Sequence, residues 1–229
     1  MSHCSQSGSA TRRCWSAKYA FERLAAVIGM LSVIPLLVLL AALVKMTSRG
    51  PVFYMSERIG RHGRTFRLYK FRSMRVGVAP VLGADGKVLT LAKDPRVTPI
   101  GGFLRLGFDE LPQLINVVKG DMCLIGPRPD IPQELGRYSE RQRQRLTVLP
   151  GITGLAAVVG GRYMNNAQNY ELDVLYVERA TWRTDLTILL LTLPYALGMA
   201  RIGARVFRSY VEAVRPLGDA QQEAQQEAV

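Results

Sequence analysis

"LAAVIGMLSVIPLLVLLAALV", residues 24–44, is the stretch on which the fold turns. Its 21 residues carry no charge. As a helix at ~1.5 Å per residue they reach roughly 31 Å, enough for a ~30 Å hydrocarbon layer. A secretory signal has a shorter apolar region, about 7–15 residues, so the run is not read as one. Two readings satisfy the length. One is a single spanning helix. The other bends at Ser32 and Pro35, mid-segment, because proline removes a helix hydrogen bond and clashes with the carbonyl four residues back. The flanks bear on the choice. Arg12, Arg13, Lys18 and Arg23 precede the run, and Lys45, Arg49, Arg58 and Arg61 follow it. Basic residues collect on the cytoplasmic side of membrane segments. A segment that enters and leaves the same leaflet satisfies both flanks; a spanning one leaves the charge rule without a winner.

Downstream, residues 50–75 alternate apolar and polar side chains in two runs, "PVFYMSERIG" and "TFRLYKFRSM", around the turn "RHG". This predicts a β-hairpin. It carries Arg58, Arg61, Arg64, Arg67, Lys70 and Arg72, largely on one face or at the turn, with Glu57 as the sole opposing charge. So dense a cluster favours a surface that meets anions over a merely solvated face. Residues 76–100 read as a loop.

In "FDELPQLINVVKGDM", residues 108–122, Leu111, Leu114, Ile115 and Val118 fall on one helical face. Pro112 is tolerated in a first helical turn, and Gly120 is a natural stop. Asp109 and Glu110 are therefore expected at a helix N-terminus, where capping and the helix dipole alone account for them. "LIGPRPD" follows. Leu124 and Ile125 suggest a short strand, and the stiff Gly126-Pro127-Arg128-Pro129 turn would aim Arg128, whose planar fork matches phosphate oxygens. "LPGITGLA", residues 149–156, sets another sharp turn.

A second apolar stretch, residues 186–200, is interrupted by Pro194 and flanked by Arg183, Arg201, Arg205 and Arg208. It reads equally as an interfacial helix or a buried core helix. The tail from 211 is polar and low in complexity, as for a frayed or disordered end.

Composition bounds the chemistry. The chain has 229 residues, a formal net charge of +12 and a pI near 10.1, which favours anionic partners. Cys4, Cys14 and Cys123 form no framework and read as reduced thiols. Two histidines, His3 and His62, make a multi-His zinc site or a Ser-His-Asp engine poor readings. Neither GxGxxG nor GxxxxGK[ST] is present. The apolar segments and the lack of a nucleic-acid module argue against nucleic acid as partner.

Taken together and in order, "KFRSM", "DELPQLINVVKGDM", "IGPRP" and "PGITGLA" behind a proline-interrupted apolar helix resemble the bacterial sugar transferases, the monotopic phosphoglycosyl transferases, in their minimal catalytic form. The resemblance runs from about residue 18 to 210. Asp173, Tyr176, Trp182 and Asp185 fit a further spaced pattern of the family. It implies a mixed α+β (α/β) compact membrane-associated domain with a Pro-broken re-entrant helix and interfacial amphipathic helices. It divides the chain into a flexible start (1–17), the re-entrant helix (18–48), the catalytic domain (49–210) and a polar tail (211–229). It implies transfer of a sugar 1-phosphate from a UDP-sugar to polyprenyl (undecaprenyl) phosphate, with UMP released, at the cytosolic face of the inner membrane. Asp109 would be the nucleophile and a Mg²⁺ ligand, Glu110 its partner, and Arg128, Lys70, Arg72 and Arg105 phosphate-binding residues. Membrane lipid is an implied partner, and a homodimer stays open. The chain departs from the family where Leu104 replaces the usual Arg, with Arg105 one place nearer Asp109, and where Ala157 and Val159 replace polar residues before Gly161 and Arg162. A different class, a non-catalytic basic scaffold holding anionic lipid, is separated by dependence of product on divalent metal and on Asp109.

Overall fold

The computed structural model describes residues 15–78, 94–160, 164–196 and 200–226. Expectations for residues 1–14, loop residues 79–93, Gly161, Arg162 and the last three residues lie outside the described residues.

Helix α1 runs from Trp15 to Thr47. The start expected to be flexible through 17 is thus helical from Trp15, and the reason is burial. Lys18, Glu22 and Ala26, four residues apart, form an inward stripe. Lys18 is fully buried, and its Nζ donates to the Ile125 carbonyl, to Tyr176 OH at 2.8 Å and to Asp185 Oδ2 at 2.9 Å. Glu22 pairs with Lys18 at 3.1 Å and accepts from the Leu124 N–H at 3.0 Å. A buried cation so fully partnered serves as a fixed anchor. At the other end, Leu40 and Val44 pack with Phe71 and Leu104. Pro35 lies inside the helix without ending it. The expected break therefore does not interrupt the element, although Ser32 Oγ back-bonds the Ile28 carbonyl at 3.0 Å, a contact that bends helices. Phe21, Leu24, Ile28, Leu31, Ile34, Val38 and Leu39 leave a long apolar face exposed.

Strands β1 (Phe53–Ile59) and β2 (Thr65–Phe71) form the antiparallel hairpin. The RHG turn closes it as a single 3-10 turn with His62 at φ 59, a left-handed position uncommon for a non-glycine residue. The register pairs Tyr54 with Lys70 and Arg58 with Phe66. Arg58, Lys70 and Tyr54 therefore share one face, and Arg67 lies on the other.

A short α2 (Gly101–Leu104) leads through Gly107, at φ 116, into a 3-10 turn over Phe108–Glu110 and then α3 (Gln113–Lys119). The chain reverses at Gly107 in a conformation that suits glycine. Gly120, at φ 88, stops α3 as expected. Buried Asn116 docks α3 on β2: its Oδ1 accepts from the Tyr69 N–H at 3.1 Å and its Nδ2 donates to the Arg67 carbonyl at 2.7 Å.

Strands β3 (Cys123–Ile125) and β4 (Gly151–Thr153) pair in parallel. The connection holds a 3-10 turn (Pro132–Arg137) and α4 (Glu140–Arg143), capped by Ser139. The two glycine nodes meet here. A Cβ on Gly154 would stand 2.2 Å from the Gly126 carbonyl, so the turns pack backbone on backbone.

Helices α5 (Leu155–Gly160), α6 (Asn166–Arg179), α7 (Trp182–Ala196), α8 (Ala200–Val206) and α9 (Arg208–Gln226) complete the body. The core gathers Ile125, Leu155, Val158, Leu172, Tyr176, Ile188 and Val214. The tail expected to fray is helical through Gln226, and Val214 pins it to that core. Helix α7 divides the two readings between its faces. Ile188 and Leu191 are buried, whereas Leu186, Leu189, Leu190 and Leu193 are exposed. Phe21 and Trp182 meet edge to face at 6.0 Å, joining this apolar face to that of α1.

Candidate active site

The acid pair sits on the 3-10 turn ahead of α3, not on the first turn of an α-helix. No side-chain cap is made there, and α3 itself begins at Gln113. Capping and the dipole do not explain Asp109 and Glu110. The cations of the neighbouring elements do.

Lys70 Nζ, from β2, donates to Glu110 Oε1 at 2.6 Å. Arg128 NH2, from the turn after β3, donates to the same oxygen at 3.0 Å. Burial alone would push the Glu110 carboxyl up, but Arg128 and Lys70 overcome it and hold it down at about 2. Asp109, half-buried, takes the opposite direction. Burial raises its pKa, Glu110 raises it further, and Lys70 and Arg105 only partly offset this. Among the described residues no cationic side chain is paired with the Asp109 carboxylate. Two adjacent carboxylates thus have their pKa values driven apart, a signature of divided roles. Glu110 is a fixed anion that aims two cations. Asp109 has no such pair among the described residues.

Arg128 leaves most of its guanidinium free, at 60% side-chain exposure. Its backbone is held from behind. Buried Arg145 donates to the Arg128 carbonyl at 2.7 Å, to Asp130 Oδ2 at 2.7 Å, to Tyr138 OH at 2.8 Å and to Asp173 Oδ2 at 2.6 Å. Its guanidinium lies 4.6 Å from the Tyr170 ring centre. Burial pushes Asp173 up to about 6 even against Arg145. Hydrogen bonding from the Ile59 N–H to the Asp130 carbonyl at 2.8 Å ties the turn to β1. Arg58 also joins the site: burial, followed by the charge of Arg128, lowers its pKa. Its place in the hairpin's basic cluster was read from the sequence, and the register puts it on the Lys70 face. Arg145 carried no local signal, because its partners come from three separate segments, the turn at Arg128–Asp130, Tyr138 and α6.

The structure brings Asp109, Glu110, Lys70 and Arg128 together. Arg105, half-exposed, lies near enough to Asp109 to lower its pKa and makes no closer bond to it. Arg72 is a correction. It is buried, and it donates to the Ser48 carbonyl at 2.8 Å, to Ser48 Oγ at 2.6 Å and to the Arg49 carbonyl at 2.9 Å. Through those bonds it staples the end of α1, and its buried Nε is left without a partner. Tyr176 and Asp185 belong to the Lys18 anchor, with Tyr176 OH donating to Asp185 Oδ1 at 2.7 Å. Val159 lies in the core, so the polar residue missing there is replaced by packing. Among the described residues no three His, Cys, Asp or Glu side chains converge on one point. A divalent ion would here rest on Asp109 and on substrate phosphates, a donor set that suits Mg²⁺, which takes one or two carboxylates and completes its shell with phosphate and water.

The family model described as bacterial sugar transferase matches residues 13–198. The chain is 37% identical over 190 residues to the exopolysaccharide production protein ExoY of Rhizobium meliloti, covering 78% of this chain and 84% of that protein. It is 39% identical over 188 residues to an undecaprenyl-phosphate glucose phosphotransferase of Komagataeibacter xylinus and 41% identical over 155 residues to an undecaprenyl-phosphate galactose phosphotransferase of Salmonella typhimurium. Those alignments cover 77% and 62% of this chain and 35% and 33% of the two longer proteins.

Proposed function

This chain belongs to the bacterial sugar transferase family, and we propose that it moves a sugar 1-phosphate from a UDP-sugar to polyprenyl phosphate through a covalent intermediate on Asp109. The observation that carries the proposal is the unpaired Asp109 carboxylate beside a neighbour, Glu110, that is clamped by Lys70 and Arg128. An Asp109 oxygen attacks the sugar-proximal phosphorus of the donor. The bond from that phosphorus to the oxygen bridging to UMP breaks, and UMP leaves with the electron pair. An oxygen of polyprenyl phosphate then attacks the same phosphorus, which frees Asp109 and yields the polyprenyl diphosphate sugar. Splitting the transfer in two lets one phosphate site serve both substrates. Arg128 offers planar donors to the transferred phosphoryl group, and Lys70 adds a point charge beside it. Glu110, held at about 2, is too weak a base to take a proton near neutral pH, so its role is to orient these two cations. Mg²⁺ held by Asp109 and donor phosphates would screen anion from anion and keep Asp109 ionised against its burial.

The membrane placement that fits is monotopic, on the cytosolic face of the inner membrane. Both ends of α1 dock on the same body, through Lys18 and Glu22 at one end and Val44 and Ser48 at the other. Its exposed apolar face, continued by that of α7, meets lipid without either end crossing to the far side.

The test is the donor half-reaction. Enzyme with UDP-sugar and Mg²⁺, without acceptor, should release about one UMP per site and gain a sugar phosphate on the peptide containing Asp109. Asp109→Asn should lose both signals and keep its thermal transition. UMP appearing only with polyprenyl phosphate present would replace this scheme with a direct displacement. No UMP release under either condition would favour a scaffold that only binds lipid.

A further inference from the structure

An exposed apolar ledge stands beside the reacting carboxylate and has no part in the chemistry described so far. It is built from Phe103, Leu106 and Phe108. Phe103 and Phe108 stack, with ring centres 4.7 Å apart and planes 13° from parallel. Phe103 is 46% exposed and Leu106 59%. Leu106 is three peptide units from Asp109, at most about 11 Å along the chain. Between them Gly107 turns the chain at φ 116.

The ledge is rigidly seated. Leu104, fully buried, points the other way, into the cluster that holds Leu40 and Val44 of α1. Phe108 and Leu111 pack on that same cluster. The second half of α1 turns its other side outward, with Val38 64% and Leu39 56% exposed. An apolar cluster thus joins α1 to Phe108, on which Phe103 stacks, and two residues after Phe108 stands Glu110, which holds Lys70 and Arg128.

We infer that this ledge grips the first isoprene units of the lipid acceptor and so delivers its phosphate to Asp109. The inference rests on the proposed function. The order of polarity on the protein, apolar ledge and then paired cations, matches the order on a polyprenyl phosphate, whose hydrocarbon chain ends in an anion. The donor matches it poorly, since a sugar nucleotide is polar throughout and offers nothing to stacked phenyl rings. Large apolar side chains left exposed next to a charged site mark a place where an apolar partner is received.

The test uses the full chain in nanodiscs, with Leu106→Gln and Phe103→Gln separately. Three readouts are taken: UMP release without acceptor, KM for polyprenyl phosphate, and flotation with vesicles. Each substitution should raise the acceptor KM about tenfold, the loss expected when one large apolar side chain no longer meets its ligand. The size of the UMP burst and the flotation should stay at the wild-type level. The same penalty should appear with an acceptor of only a few isoprene units, because the contact is with the first ones. An unchanged acceptor KM overturns the inference. Flotation falling in parallel with activity overturns it too, and makes the ledge a plain membrane contact. If wild-type protein gives no UMP burst, the covalent scheme falls while the ledge is judged on binding alone. A polyprenyl phosphate carrying a photoreactive group on its first isoprene should label residues 101–108, and labelling elsewhere only would refute the ledge.

Discussion

Replacing Lys70 with methionine removes one of the two cations on Glu110 Oε1 while keeping the length of the side chain. Glu110 stands at about 2 in the folded protein against an ordinary 4.5, in spite of a burial that opposes ionisation. A displacement of about 2.5 is worth about 3 kcal/mol, at roughly 1.36 kcal/mol per pKa unit. Two cations share it, so Lys70→Met should cost between about 1 and 2 kcal/mol, or roughly 2–8 °C of melting temperature at this chain length. The sign follows from the depressed folded value. This stabilisation is fully present above 4.5 and is lost as pH falls toward 2. The gap between wild type and variant should therefore be full at pH 7.5 and should narrow below 4.5. Activity supplies the second readout. Lys70 is the foremost cation opposing the burial of Asp109, so its removal drives the Asp109 pKa further up. The acid limb of the UMP-release profile should move to higher pH. A thermal scan across pH and a pH series of the donor half-reaction measure both. A variant within 1 °C of wild type at pH 7.5, or an acid limb that stays in place, would refute the division of labour drawn here between the two carboxylates.

The remaining predictions separate scaffold from site. Arg72→Met should lose about 1–3 kcal/mol, because three bonds that hold the end of α1 vanish; denaturant titration reads this, and the UMP burst per folded molecule should be retained. Lys18→Met should be worse, about 3–5 kcal/mol, since Glu22 and Asp185 are left buried without their cation. Adding Asp185→Leu to Lys18→Met should recover part of that loss, and a double variant no more stable than the single one would show that the anchor is not electrostatic.

Sequence made the site legible where its logic is local, and hid it where partners come from afar. Alternation along the hairpin placed Lys70 on a face, and that survives in the structure; spacing in "LPQLINVV" placed the acid pair at a helix N-terminus, whereas it stands on a separate 3-10 turn ahead of α3. Lys70 and Arg72 share that alternation and chemistry, yet one meets Glu110 and the other meets Ser48 and Arg49. Only the arrival of α1 at the end of β2 separates them, and no local pattern carries it. The same blindness affected the membrane argument. Lys18 counts in the sequence as a basic flank under the charge rule, but it is buried among Glu22, Asp185 and Tyr176. The charge rule thereby loses one of its supports. A tertiary fact takes its place: the first turns of α1 are locked to β3 and α7 and its last turn is stapled by Arg72, so both of its ends dock on one body. The same seat that receives Leu40 and Val44 holds Phe108 and Leu111 on either side of Asp109 and Glu110, so α1 is the floor on which the acid pair stands.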